Sequence, residues 1–111
     1  MQRGEIWMYS FAPPDKRRPV VVLSRSDAIA HLHTVLVASV TSSIRGVMSE
    51  VPIGPAEGLK HDSAVNLDFV NSVPKHRLKA RVGSLSPACM DLVCQALEVA
   101  VGCNNRIGRD S

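Results

Sequence analysis

The sequence predicts a small, mostly antiparallel β barrel of six or seven strands, decorated by short helical turns and closed by one C-terminal amphipathic helix. Three observations lead there. Short alternating or wholly apolar β-branched runs recur up to Leu85, Pro, Gly and Ser punctuate them, and the hydrophobic period changes only once, at Ser86, to that of a helix. At 111 residues, 45% hydrophobic and 21% charged, the chain has apolar material for one domain with a single core. Residues 1–103 are expected to form it, and 104–111, where Ile107 is the sole core-type side chain, to be a flexible tail.

The first strand is Glu5 to Phe11, with Ile6 and Met8 on one side and Trp7, Tyr9 and Phe11 on the other, ended by Ala12-Pro13-Pro14-Asp15. Pro19 opens Val20-Val21-Val22-Leu23, a β-branched run without polar alternation that suits a strand covered on both faces. Ser26 or Asp27 is placed to cap a helical turn through His31, and His33 to Val40 is a third, nearly apolar strand followed by Thr41, Ser42 and Ser43. Met48 to Ile53 forms a strand ended by Gly54-Pro55. Ser63 to Leu67 and Phe69 to Val73 read as two strands joined or kinked near Asp68. Pro74 to Leu78 is one helical turn, and Ala80 to Leu85 a last strand. The helix then has Ser86 as N-cap, Pro87 at its first position, a stripe of Met90, Val93, Leu97 and Val101, and Gly102 at its end.

Several classes of function are excluded or demoted. The longest apolar runs are far shorter than the roughly 18 residues of a membrane span, and no signal-peptide stretch opens the chain, so a cytoplasmic protein is expected. Cys89, Cys94 and Cys103 match no zinc or redox spacing and are read as reduced thiols. Carboxylates are scattered, glycine-rich phosphate loops are absent, and His31, His33, His61 and His76 read singly as polar loop residues. Neither a metal nor a cofactor is expected. The net charge of +3 suggests a polyanionic partner, and two clusters, Lys16-Arg17-Arg18 and Lys75-His76-Arg77-Lys79-Arg81, would strengthen the local potential if the fold brought them to one face.

What remains is polar chemistry at strand ends. Arg18 precedes Pro19, which pushes it to an extended conformation at the mouth of a core strand. Thr41 ends the other most apolar strand. If these strands are neighbours, a planar, permanently charged donor and a hydroxyl converge in a cradle for a phosphodiester. On residue types alone the plainer reading is favoured, in which Arg18 solvates a strand end and Thr41 caps a turn.

Five segments resemble, in order, the MazF/PemK toxin family: Arg3-Gly4-Glu5-Ile6-Trp7; Arg17-Arg18-Pro19-Val20-Val21-Val22-Leu23-Ser24; Val37 to Gly46 with its Thr41-Ser42-Ser43; Gly58 to Asp68; and Arg81-Val82-Gly83-Ser84-Leu85-Ser86-Pro87. Glu50-Val51-Pro52 falls between them. The resemblance covers Arg3 to Cys103. It implies an SH3-like barrel and a homodimer. The implied activity is a metal-independent, sequence-selective endoribonuclease acting on single-stranded RNA, with messenger RNA the expected class, and silenced by a cognate MazE-like antitoxin. It also implies 2′-hydroxyl attack, leaving a 2′,3′-cyclic phosphate and a 5′-hydroxyl. The family's catalytic arginine maps onto Arg18 and its catalytic threonine onto Thr41.

Two departures limit the transfer. The loop Ala12 to Lys16 is short, so an acidic loop residue of relatives has no secure counterpart beyond Asp15. Phe69-Val70-Asn71-Ser72 replaces the usual segment after Asp68, a region that contributes to base reading in relatives. Phe11 is a candidate to stack a base or else a core or subunit-contact aromatic. Arg17, Ser42, Ser43 and Arg45 are candidates for phosphate or base contacts near Thr41, and Asp68 and Asn71 for RNA contacts further along. The alternative from another class is a non-enzymatic toxin similar to CcdB, binding DNA gyrase on the same fold.

Overall fold

Every strand pairing is antiparallel, and six strands make one curled sheet in the order β4-β5-β3-β2-β1-β6. The structure is a computed structural model that describes residues 1–12 and 16–103, so the expected tail at 104–111 and Asp15 lie outside the described residues. The strands are β1 (Glu5–Ser10), β2 (Arg17–Val22), β3 (Thr34–Thr41), β4 (Glu50–Ile53), β5 (Ser63–Pro74) and β6 (Ala80–Ser84). Helix α1 is Ser26–Ile29, α2 is Pro87–Val101, and 3₁₀ turns occupy Pro55–Glu57 and Lys75–Arg77.

The valine run explains the middle of the sheet. Val21 packs with Ile6, Val40, Val65 and the α2 residues Met90 and Val93 on the concave side. Val20 and Val22 pack with Tyr9, Ile29, Val35 and Val37 on the other. A strand buried on both faces needs no polar alternation, as the sequence indicates. Trp7 and Tyr9 join the second core, with Phe11 partly buried against it.

Details differ from the expectation. Arg17 opens β2 and Arg18 is its second residue, ahead of Pro19, because Ser10 and Tyr9 of β1 still pair with them. Ser26 is the first residue of α1 and caps nothing there; its Oγ instead accepts from the Arg3 N–H at 2.8 Å. The two segments expected to be joined or kinked near Asp68 are so: they form one strand, β5, with a bulge. Ala38 faces Val70 and Ser39 faces Asn66, so three residues, Leu67 to Phe69, oppose nothing on β3. Leu67 turns inward and its N–H donates to the Ser49 carbonyl, while Phe69 is left exposed. On α2, Ser86 accepts from the Cys89 N–H and Gly102 adopts the left-handed cap as expected. The buried stripe is Met90, Val93 and Ala96, whereas Val101 is 62% exposed: it falls in the last turn, beyond the sheet.

The sheet's edges, β4 and β6, are not hydrogen-bonded to each other; they meet through the turn that follows β4. A side chain on Gly83 would run into the carbonyl of Glu57, and one on Gly58 would sit 2.6 Å from the Val82 carbonyl oxygen. Only glycine lets these backbones approach, so this contact is the seam of the barrel. Gly83→Ala is expected to force the seam apart at a cost of about 1–3 kcal/mol. At roughly 4–8 °C per kcal/mol for a domain near 100 residues, this is a drop of at least about 4 °C in a calorimetric melt. An unchanged Tm would show that the edges do not bear on each other.

Candidate functional site

The register between β2 and β3 pairs Val22 with Val37, Val21 with Ala38 and Val20 with Ser39, and there it stops. The Val22 carbonyl accepts from the Gly4 N–H and the Leu23 N–H donates to the Leu36 carbonyl, so successive β2 residues address β1 and β3 in alternation. By that alternation Pro19 faces β3 without an N–H to donate. The ladder is released at the proline. Arg18 of β2 and Thr41 at the end of β3 both line the space that opens beyond this point.

Where the strands part, an open cleft of about 680 Å³ forms. Its floor is apolar, from Met8, Pro19, Val40 and Val82. Lys16, Arg17 and Arg18 stand on one side of the rim, Thr41, Ser42 and Ser43 at its end, and Lys60 and His61 on the loop after Gly58. Four cations and no carboxylate line it among the described residues, an arrangement that draws in a polyanion. The Thr41 Oγ1 accepts from the Ser43 N–H at 3.0 Å. A hydroxyl with an acceptor position so used keeps its proton to donate, and the N–H polarises it for that purpose. Turn-capping and donation to a ligand are therefore compatible uses of this one hydroxyl.

The Arg18 guanidinium carbon lies 5.8 Å from the centre of the Phe11 ring. That ring meets Tyr9 edge to face at 4.8 Å, and the guanidinium of Arg77 lies 5.0 Å from the Tyr9 ring centre while donating to the Ser10 carbonyl. Phe11 thus supports Arg18, a contact its base-stacking expectation did not include. Through Arg77 the second basic cluster is joined to the same side of β1.

Other expected residues sit apart from the cleft. Arg45 donates to Glu50 at 3.0 Å and to Asp68 at 3.1 Å, and Ser49 donates to Asp68 at 2.6 Å. The Glu50 side chain is only 2% exposed and also accepts from the Arg45 and Gly46 N–H groups. Arg45 and Asp68 are thereby committed to each other, in a clamp that shapes the loop following Thr41. Asn71 is exposed on β5 opposite Val37, away from the cleft. The clamp was not legible beforehand, because its members are distant in sequence; Glu50 in an otherwise apolar strand was the one available signal. His61 reads in the sequence as a polar loop histidine, and only the structure brings it to the cleft.

Elsewhere, burial together with the Glu57 carboxylate pushes the Cys89 thiol above its ordinary range, which keeps it protonated. Among the described residues no three His, Cys, Asp or Glu side chains gather as a metal-holding group.

Residues 2–101 match the family model described as the PemK-like, MazF-like toxin of type II toxin-antitoxin system. The chain is 48% identical to the probable endoribonuclease MazF5 of Mycobacterium tuberculosis, over 92% of this chain and 94% of that one. It is 35% identical to the probable endoribonuclease MazF2 of the same organism, over 93% and 100%. In structure it is similar to the Mycobacterium tuberculosis toxin MazF-mt6, with a TM-score of 0.82 and 31% identity, covering 88% of this chain and 96% of that chain. A mycobacterial endoribonuclease solved with its cognate antitoxin superposes with a TM-score of 0.81 at 24% identity, covering 92% and 95%, a likeness of fold.

The clamp has a pH signature. Burial alone would raise the Glu50 carboxyl, but the Arg45 guanidinium and the two N–H groups outweigh it and hold it below the ordinary 4.5. The Ser49 hydroxyl, then Arg45, hold Asp68 below 3.8. Both groups lend stability that is fully present above the ordinary values and is lost as the pH falls through the lowered ones. Thermal melts between about pH 5 and pH 3 should show a shallower loss of Tm for Glu50→Gln than for the parent protein. Equal slopes would mean that the Glu50 charge does not support the loop.

Proposed function

Because the chain belongs to the PemK/MazF family of toxins of type II toxin-antitoxin systems, we propose that it is an endoribonuclease toxin whose cleft at Arg18 and Thr41 cuts single-stranded RNA. The observation that supports this reading is the cationic cleft, whose lining includes both Arg18 and Thr41. The barrel alone would not discriminate, since one fold hosts many functions. The relatives' own names are those of endoribonucleases, and nothing in the cleft favours the gyrase-binding alternative.

The chemistry follows from what the residues supply. Attack by the ribose 2′-hydroxyl needs no nucleophile from the protein. It needs alignment, neutralisation of the pentavalent phosphorane, and a path for protons. Arg18 keeps its charge in essentially all protein settings and meets the charge building on the non-bridging oxygens. Thr41 donates its hydroxyl to one of them, pre-oriented by Ser43. The products are a 2′,3′-cyclic phosphate and a 5′-hydroxyl, and the route uses neither metal nor cofactor. Arg17, Ser42 and Ser43 hold flanking phosphates. Messenger RNA is the expected substrate, and DNA, lacking the 2′-hydroxyl, is left intact.

A cognate MazE-like antitoxin silences the enzyme by laying an acidic extended segment along the same basic rim. A homodimer is the working form, supported by the apolar side chains of Met48, Leu92 and Val101 exposed near α2. No helix among the described residues is long and apolar enough to cross a membrane, and the cytoplasm, where RNA and antitoxin meet the toxin, is the proposed location.

A long, structure-poor RNA incubated with the protein in EDTA should yield discrete fragments with 5′-hydroxyl ends. Arg18→Ala and Thr41→Ala should each slow cleavage by about 10²-fold or more with unchanged circular dichroism. Intact RNA over varied sequences, or full activity in both variants, would overturn the reading.

A further inference from the structure

The ribonuclease reading leaves one chemical requirement unassigned: a group that takes the proton from the attacking 2′-hydroxyl. An arginine does not surrender its proton near neutral pH, and a threonine hydroxyl is far too weak a base to take one. Among the described residues lining the cleft, the charged or titratable side chains are Lys16, Arg17, Arg18, Lys60 and His61. Imidazole alone among these types changes charge between about pH 5 and 8. Only His61 brings one there: His31 and His33 lie between α1 and β3, and His76 lies in the 3₁₀ turn Lys75–Arg77.

The position of His61 is anchored from both ends. On one side Gly58 rests on the Val82 carbonyl at the barrel seam. On the other, the Ser63 hydroxyl donates to the His61 carbonyl at 3.1 Å, and Ala64 pairs with Thr41 in the β3–β5 register. The loop is a short bridge between two fixed points, and its root is the residue beside Thr41. The imidazole itself is exposed and makes no hydrogen bond or ion pair among the described residues. It holds no place in the fold's packing and is free to engage a substrate.

Resting on the ribonuclease reading, we propose that His61 is a catalytic residue that accepts the 2′-hydroxyl proton during cleavage. As the proton passes to a ring nitrogen, the bond from O2′ to phosphorus forms and the bond from phosphorus to O5′ breaks. The departing O5′ takes a proton from water, and the imidazolium releases its own to solvent. No oxidant or further reactant enters. The charged residues that line the cleft with His61 are Lys16, Arg17 and Arg18 from the β1–β2 side and Lys60 from its own loop, while β3 and β6 contribute the uncharged Val40, Thr41 and Val82. Asp62 lines a separate hollow with Gly54 and Glu57.

The test is single-turnover cleavage of a structure-poor transcript in EDTA between about pH 5 and 8, the range over which histidine titrates. The parent rate should rise with pH over that range. His61→Ala and His61→Gln should cut about 10²–10⁴-fold more slowly and lose that rise. Their affinity for a 2′-O-methyl RNA of the same sequence should be unchanged, and added imidazole should restore His61→Ala but not Thr41→Ala. Parent-like rate and pH profile in His61→Ala would overturn the role, as would loss of the rise in Asp15→Asn with its retention in His61→Ala. A parent protein that leaves RNA intact would overturn the ribonuclease reading and this role together, whereas equal cutting by parent and His61→Ala would remove this role alone.

Discussion

The molecule depends on one missing hydrogen-bond donor. Pro19 sits where β2 turns its backbone towards β3, and the ladder between these two strands ends there. Beyond it the two strands are no longer paired, and Arg18 and Thr41 both line the cleft that opens there. A fully bonded pair of strands would bring the two residues together and leave no space for a ligand. A pair that diverged earlier would lose the alignment. The proline thus separates two demands that a β sheet ordinarily opposes, a rigid frame and an open gap.

Around that gap the protein assembles its support from elements on both sides. Phe11 lies against Arg18 and is itself braced by Tyr9 and Arg77. On the far side, the buried Glu50 gathers the Arg45 side chain and two loop N–H groups just after Thr41. Functional side chains on strands, with loops fastened by buried polar partners, are pre-organised rather than assembled on demand. The cationic rim has no such partners among the described residues, which is the condition of a surface that meets an anion from outside.

Much of this was legible in the chain and some was not. Three adjacent valines after a proline announce a strand buried on both faces, and the Ser86-Pro87 start with Gly102 at the end announces the helix, because these signals are local. Arg18 and Thr41 were visible as the polar ends of apolar runs, and the family resemblance singled out the same pair. That both line one cleft depends on the pairing of two strands at once. The Arg45–Glu50–Asp68 clamp and the Gly58–Gly83 contact join residues far apart in sequence. No period or short motif reports such contacts. Pro19 read as the start of a strand when it is an interior member, since only the pairing of Arg17 and Arg18 with β1 shows where β2 begins.

The seam between Gly58 and Gly83 divides the cleft in a way the static picture conceals. One bank belongs to the β2–β3 pair, at the centre of the sheet and buried on both faces. The other hangs from a backbone contact that carries no ladder bonds between β4 and β6. Local opening in a protein follows its least bonded boundaries. The width between the two banks is therefore set at the seam, by the missing side chains of Gly58 and Gly83, rather than within the β2–β3 pair.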